Sequence, residues 1–348
     1  MPHWLIGLGS NLGPREEILR RAIERFSREP GVEVVAQSRF HATRPVGGPA
    51  GQPTFLNAAA ILRTDLGPEP LLEVLLRIEQ EFGRQRGERW AARPLDLDLL
   101  LGEGQVVDTL RLKLPHPRMA WRRFVLQPAV EIAPEWVHPP TGWSLARLLE
   151  HLRTARGYLA FAGSIAAGKT ELAQATAARS GARAVLEAVD VHRLAGFYAD
   201  PAGKAWQTEI EFLRDRTRRL DAADPAWSDQ GRWAVSDFWF DQSMAFAEVW
   251  LAPQRREEFR RRWLAARPAV VRPKLIVLLE APAEVLHERV LTRARPYERS
   301  LRVEELARIQ DSIVAATAWP DQGPVLRLGA GPLEVMLQEV LAAMEAME

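Results

Sequence analysis

There is no cysteine anywhere in the 348 residues. That excludes disulfides, thiolate metal sites and cysteine nucleophiles, and it suits a reducing cytoplasm. Net charge is almost absent too, at +1 from 46 basic and 45 acidic side chains, so no electrostatic field argues for nucleic acid as a partner. No apolar run reaches membrane-spanning length, which speaks against a membrane role. The opening "MPHWLIGLGSNLG" does not read as a signal peptide: it has no basic start, and Gly7, Gly9 and Asn11 interrupt the apolar stretch. Internal repeats and low-complexity tracts are also missing.

What remains is a soluble, globular balance of 47% hydrophobic and 26% charged residues, at a length that predicts two domains. Arginine far exceeds lysine. Its fork suits bidentate phosphate binding, but it is spread along the whole chain.

The first half mixes strands and helices. Residues 3–8 read as a strand ending in the turn "GSNLG". Residues 14–28 read as an amphipathic helix, with Ile18, Leu19, Ala22, Ile23 and Phe26 on one face. "VEVVAQSRFHAT" reads as a strand, "RPVGGPAGQP" as a loop, "FLNAAAILRT" as a strand and residues 68–82 as a second helix. A strand with two aspartates and a hairpin, "EGQVVDTLRLKL", follow, so this half is α+β. Near residue 155 the pattern changes to strand, glycine loop, helix and strand, with "HLRTAR" at 151–156 as the junction. Helical stretches at 204–220, 242–267 and 302–317 and a buried strand "PKLIVLLEAP" make the second half α/β with a parallel sheet.

Chemistry first shows in "RWAARPLDLDLLLG". Side chains alternate along a strand, so Asp96 and Asp98 share a face while the intervening leucines point into a core. Two carboxylates so close repel unless a cation sits between them. Mg²⁺ bridging to substrate phosphates meets that need, and Arg84, Arg86, Arg89 and Arg93 are near enough in sequence to take phosphate oxygens. A solvated strand face whose aspartates pair with arginines fits the spacing equally well.

The surroundings of this pair, "GLGSNLG", "FLNAA", "RPLDLDLLL", "LPHPRM" and "FVLQPAVEIAP", in that order, resemble the 6-hydroxymethyl-7,8-dihydropterin pyrophosphokinase family. The resemblance covers about 3–150 and implies a pterin pyrophosphokinase-like domain over 1–153 with a ferredoxin-like α+β fold. It implies that Asp96 and Asp98 hold two Mg²⁺ ions on ATP, that Asn57 bonds the pterin edge, that Phe124 stacks on its ring and that Phe55 lines the pocket. Backbone around Thr43 and Val46 would read the rest of the pterin, with Glu79 and Trp90 on the same substrate side. Arg84 and Arg93 would stabilise the transferring diphosphate, and Arg86, Arg111, His116 and Arg122 would touch ATP.

The second half carries "GSIAAGKT", which fits G-x-x-x-x-G-K-[ST] between a strand and a helix. In such a loop the backbone of Gly163, Ser164, Ala166, Ala167 and Gly168 cradles phosphates, aided by the helix N-terminus. Lys169 reaches the outer phosphates and the Thr170 hydroxyl ligates Mg²⁺.

Several further stretches resemble the deoxynucleoside kinase family, over about 157–345, and imply a P-loop kinase domain over 157–348. Glu187 stands where that family keeps its catalytic carboxylate. In "GFYADPAGKAWQTEIEFLRDR" Tyr198 fits the tyrosine that contacts the sugar, and Gln207 or Glu209 fits the glutamine that contacts the base. Asp237 leads an aspartate motif that many relatives continue as Asp-Arg-Ser, whereas this chain has Asp237-Phe238-Trp239. Arg289, Arg293 and Arg295 in "ERVLTRARPYE" resemble a lid over ATP. The resemblance implies two ATP-dependent transfers, with a pterin and a deoxynucleoside as acceptors, and a homodimer through the second domain. Two other readings of that domain stay open: another small-molecule P-loop kinase, or a non-catalytic ATP-binding or dimerisation module.

Overall fold

The computed structural model describes residues 1–84, 90–228 and 232–348. Two compact units are present, one of Met1–Thr154 with Leu341–Glu348, the other of Ala155–Val340. Among the described residues no helix is long and apolar enough to cross a membrane.

In the first unit the chain runs β1 (His3–Ser10), α1 (Arg15–Phe26), β2 (Val32–Gln37), β3 (His41–Thr43), β4 (Phe55–Thr64), α2 (Pro68–Glu81) and β5 (Asp96–Gly102). Two short ribbons, β6 (Val107–Asp108) with β7 (Lys113–Leu114) and β8 (Val137–His138) with β9 (Trp143–Ser144), bracket α3 (Arg123–Ile132), and α4 (Leu145–Thr154) follows. The antiparallel sheet has the order β2-β4-β1-β5, with β3 also on β4. This is the ferredoxin-like arrangement expected from the sequence. Trp4, Ile6 and Leu8 of β1 pack with Leu19 and Phe26 of α1 and Leu71, Leu75 and Ile78 of α2. On the other face α3 packs against β4 and β1.

One local expectation needs correction here. The strand expected over 32–43 is broken at Ser38: its N–H still donates to the Ala59 carbonyl, but its hydroxyl accepts the Ala59 N–H and donates to the Arg39 carbonyl, so one ladder bond passes to the side chain. α4 runs into the segment expected as the junction, 151–156, and the boundary between the two units falls within it, after Thr154. Leu145, Leu148, Leu149 and Leu152 make a buried stripe that carries α4 to Thr154.

The second unit runs β10 (Tyr158–Gly163), α5 (Lys169–Ser180), β11 (Arg183–Val185), α6 (Val191–Ala199), α7 (Pro201–Arg219), β12 (Ala234–Ser236), α8 (Gln242–Trp250) and α9 (Pro253–Ala266). It continues through β13 (Leu275–Glu280), α10 (Ala283–Arg293), α11 (Val303–Thr317) and β14 (Val325–Gly329) into α12 (Leu333–Met347), whose residues from Leu341 on belong to the first unit. Every pairing in its sheet is parallel, in the order β11-β12-β10-β13-β14. The helix expected over 242–267 is two helices, because Pro253 opens α9 and forces Ala252 into extended backbone. In an open parallel sheet, ligands gather beyond the carboxyl ends of the strands. Those ends carry the loop after β10, Glu187 after β11 and Asp237 after β12.

Candidate active sites

The first candidate site lies on β1, β4 and β5. Register sets Asn57 opposite Gly9 and Gly9 opposite Asp96, and one step on, Gly7 opposite Asp98. Leu97 and Leu99 point into the helix-covered core, so both aspartates face the other way. The glycines keep that face low. A Cβ on Gly9 would stand 3.3 Å from Asn57 Oδ1 and 3.8 Å from Phe55 Cδ1. Asn57 is anchored by donating its amide to Thr43 Oγ1 at 2.7 Å.

Asp96 gathers the cations. Arg84 Nη1 lies 2.7 Å and Arg93 Nη1 2.9 Å from its Oδ1. Burial first, then the neighbouring Asp98, pushes its carboxyl above the usual range, while Arg93 and Arg84 oppose that. Beneath it Glu79, almost fully buried, bonds Arg84 and accepts the Leu97 N–H at 2.7 Å. Burial pushes Glu79 up to about 7. It therefore ties α2 to β5 and carries Arg84.

Around this core, burial, reinforced by Arg122 and Arg118, drives His116 down to about 3, so its imidazole is neutral at physiological pH. Arg122 stands over Phe124, 5.5 Å from the ring centroid. Phe124 and Val46 are half-buried. Trp90 takes a left-handed backbone (φ 59°), packs on Gly47 and accepts from Gln52 at 3.0 Å. Arg111 is exposed and pairs with Glu73 of α2. Arg86 and Arg89 lie outside the described residues.

Sequence reasoning passed over Asn11. Its Oδ1 accepts the Arg93 N–H at 2.7 Å, and its own N–H donates to the Arg93 carbonyl at 3.2 Å. The turn "GSNLG" thereby fixes the segment that carries Arg93.

The second candidate site is built on the loop from Gly163 to Thr170. Positive φ angles at Gly163 (149°), Ala166 (63°) and Gly168 (93°) curl the backbone. A side chain at Gly163 would meet the Leu279 carbonyl at 2.7 Å. Lys169 Nζ donates to the Gly163 and Ser164 carbonyls at 3.0 and 2.8 Å, and burial lowers it to about 8.

Asp237 links this loop to the next element. One of its oxygens accepts from Thr170 Oγ1 and the other from the Glu187 N–H, each at 2.7 Å. Glu187 lies just beyond the end of β11 and lines a cleft with Tyr198, Glu209, Arg216, Arg293 and Glu298. Of the two residues left open for the base contact, Glu209 is buried in this cleft, while Gln207 is exposed and bonds Glu211. Burial pushes Glu209 up to about 8 and Tyr198 higher than an ordinary tyrosine. Tyr198 stacks on Tyr297, with ring centroids 6.2 Å apart. Buried Glu298 pairs with both Arg293 and Arg295. On the far side of the loop, Arg289, Arg293 and Arg295 form a second cavity with Gly331, Leu333 and Met336. Sequence reasoning passed over Arg216, Glu298 and this last trio.

Two family models match, one for each half. The 7,8-dihydro-6-hydroxymethylpterin-pyrophosphokinase model matches residues 5–134 and the deoxynucleoside kinase model residues 159–330. A 2-amino-4-hydroxy-6-hydroxymethyldihydropteridine pyrophosphokinase of Synechocystis sp. is 43% identical over 148 residues, 42% of this chain and 75% of that one. One of Pseudomonas aeruginosa is 44% identical over 144 residues, 41% of this chain and 88% of that one. Among solved structures, a deoxyadenosine kinase from M. mycoides with bound dATP is 13% identical over 53% of this chain and 96% of that one, with a TM-score of 0.47.

The buried Glu209 has a measurable consequence for stability. Its folded pKa of about 8 lies above the ordinary carboxylate value of 4.5. Between those two values the folded chain holds a proton that the unfolded chain has lost. Stability therefore falls as pH rises through this window and is unaffected below it. Thermal melts of E209Q should match the parent at pH 4.5 and exceed it by a few degrees, roughly 2–4 °C or more, at pH 9. Equal melting temperatures at pH 9 would contradict the burial of this carboxyl.

Proposed function

Because the chain belongs to the 7,8-dihydro-6-hydroxymethylpterin-pyrophosphokinase family through its first half and carries a deoxynucleoside kinase domain in its second, we propose that it is a bifunctional ATP-dependent transferase. The first site moves a diphosphoryl group from ATP to the hydroxymethyl oxygen of 6-hydroxymethyl-7,8-dihydropterin and releases AMP. The second moves the γ-phosphoryl group of ATP to the 5′-hydroxyl of a deoxynucleoside and releases ADP. The observation that carries the reading is the strand register that lines up Asn57, Gly9 and Asp96, with Arg84 and Arg93 on the acid.

In the first reaction the acceptor oxygen bonds to the β-phosphorus, the bond from that phosphorus to the α-phosphate oxygen breaks, and the hydroxyl proton leaves. Asn57, Phe55 and Phe124 position the pterin, with Thr43 and Val46 at its edge. Arg84 and Arg93 meet charge on the transferring oxygens, and Arg111, His116 and Arg122 serve the nucleotide side. Asp96 and Asp98 fit Mg²⁺: two part-exposed carboxylates on one strand face. Among the described residues no group of three or more acid or histidine side chains could hold a metal, so phosphate oxygens would complete the shell. The ion would supply charge neutralisation on the triphosphate.

In the second reaction Lys169 and the backbone from Gly163 to Gly168 grip the phosphates, with Arg289, Arg293 and Arg295 closing from α10 and the turn after it. Thr170 and Asp237 fit a second Mg²⁺ position, supported by their mutual bond. Glu187 takes the 5′-hydroxyl proton as the oxygen attacks. Tyr198 and Glu209 face the nucleoside. Self-association through the second half and a cytoplasmic setting complete the reading, and the cysteine-free composition suits the latter.

Site-specific variants should separate the two activities. D96A or D98A should abolish AMP release with pterin present, leave the fold intact and spare ADP release with deoxynucleosides. E187Q should lower the latter by about 100-fold or more while sparing the former. Mg²⁺-dependent pterin activity retained in both aspartate variants would refute the metal assignment. At the glycine floor, G9V should raise the KM for the pterin about tenfold through a steric cost of roughly 1–3 kcal/mol against Asn57. An unchanged KM in titrations would place the pterin elsewhere.

A further inference from the structure

Arg216, in the last turn of α7, is only 3% exposed. A guanidinium withdrawn from water costs several kcal/mol unless it is paired and hydrogen-bonded. Its neighbours in sequence, Arg218 and Arg219, pair with Asp215, and Arg218 lies well out in solvent. Arg216 turns inward instead. Its Nε donates to Glu187 Oε1 at 2.7 Å and its Nη1 to Ser243 Oγ at 2.8 Å. The rings of Phe212 and Phe238 flank the guanidinium at 5.3 and 5.9 Å. Phe238 is the position at which the family resemblance led one to expect arginine. Here it is a wholly buried aromatic against a guanidinium arriving from another helix.

Glu187 is thus held at two points. Its backbone N–H is fixed by Asp237 and one carboxylate oxygen by Arg216, while Oε2 carries no bond to either. Resting on the kinase reading above, we propose that Arg216 is the positioning residue that aims the Glu187 carboxylate at the acceptor hydroxyl, in place of the arginine missing at 238. It leaves Glu187 Oε2 to meet the hydroxyl and sets a fixed positive charge in the phosphoryl-transfer cleft. Glu209, Lys169 and Arg293 line the same cleft, so the charge there is shared among several groups, but Arg216 is the one bonded to Glu187.

The test uses the full chain, with ADP release on a panel of deoxynucleosides as the readout and pterin-dependent AMP release as the internal control. R216A should lose kcat about 100-fold with the KM for ATP within about threefold of the parent, and millimolar guanidinium chloride should restore at least about tenfold. R216K should fall between the parent and R216Q. The inference is overturned by an unchanged kcat in R216A, by a loss confined to KM, or by a loss that guanidinium does not rescue in a chain with parental melting and pterin activity. If R216A does not fold, R216K and R216Q decide: equal kcat in the two overturns the inference. A parent chain that phosphorylates no deoxynucleoside overturns the functional reading and this inference with it. An active parent with indifferent Arg216 variants overturns this inference alone.

Discussion

A part-exposed carboxylate steadied by guanidinium groups organises each half of this chain. In the first, Asp96 sits between Arg84 and Arg93, with Glu79 beneath them holding both Arg84 and the strand. In the second, Glu187 rests on Arg216 while Asp237 holds its backbone. Such pairs contribute little net stability, because desolvation offsets most of their attraction. What they provide is direction. A paired carboxylate has few orientations open to it, so its remaining oxygen keeps a fixed aim.

The two units reach this by different routes. The antiparallel sheet of the first presents its acids at the start of a strand, where glycines on the adjacent strand leave room above the backbone. The parallel sheet of the second presents Glu187 and Asp237 just past strand ends, beside a loop curled by left-handed residues. Each follows from its fold: a half-open antiparallel face can host a ligand directly, whereas a parallel sheet covered on both faces can host one only at its edge.

Much of this was legible in the sequence. The alternation around Asp96 and Asp98, the ten residues of β4 and the glycine loop each announce themselves through period and composition, and the ordered motifs identify both halves. The missing parts depend on partners far apart in the chain. Nothing in "GSNLG" says that Asn11 would clasp Arg93, some eighty residues on. Arg216 did leave a trace. Glu209, Leu213, Arg216 and Leu220 recur at helical spacing, and all four are buried, so an arginine on an apolar stripe marked an inward charge. The same spacing leaves Gln207 facing out. In "LRDRTRRL" the surrounding arginines hid that signal. Ser38 and Pro253 show the opposite failure, in which one residue's local bonding interrupts a run that composition alone would continue.

The row Asn57, Gly9, Asp96 has one more implication. These residues are register partners on three adjacent strands, so the gap from the first to the last is two interstrand steps, about 9–10 Å. That length belongs to the main-chain ladder, and no exchange of side chains can stretch or shrink it. The sheet works as a gauge. Substitutions along it can change the groups presented at either end, while the distance between the ends stays fixed for as long as the strands remain paired.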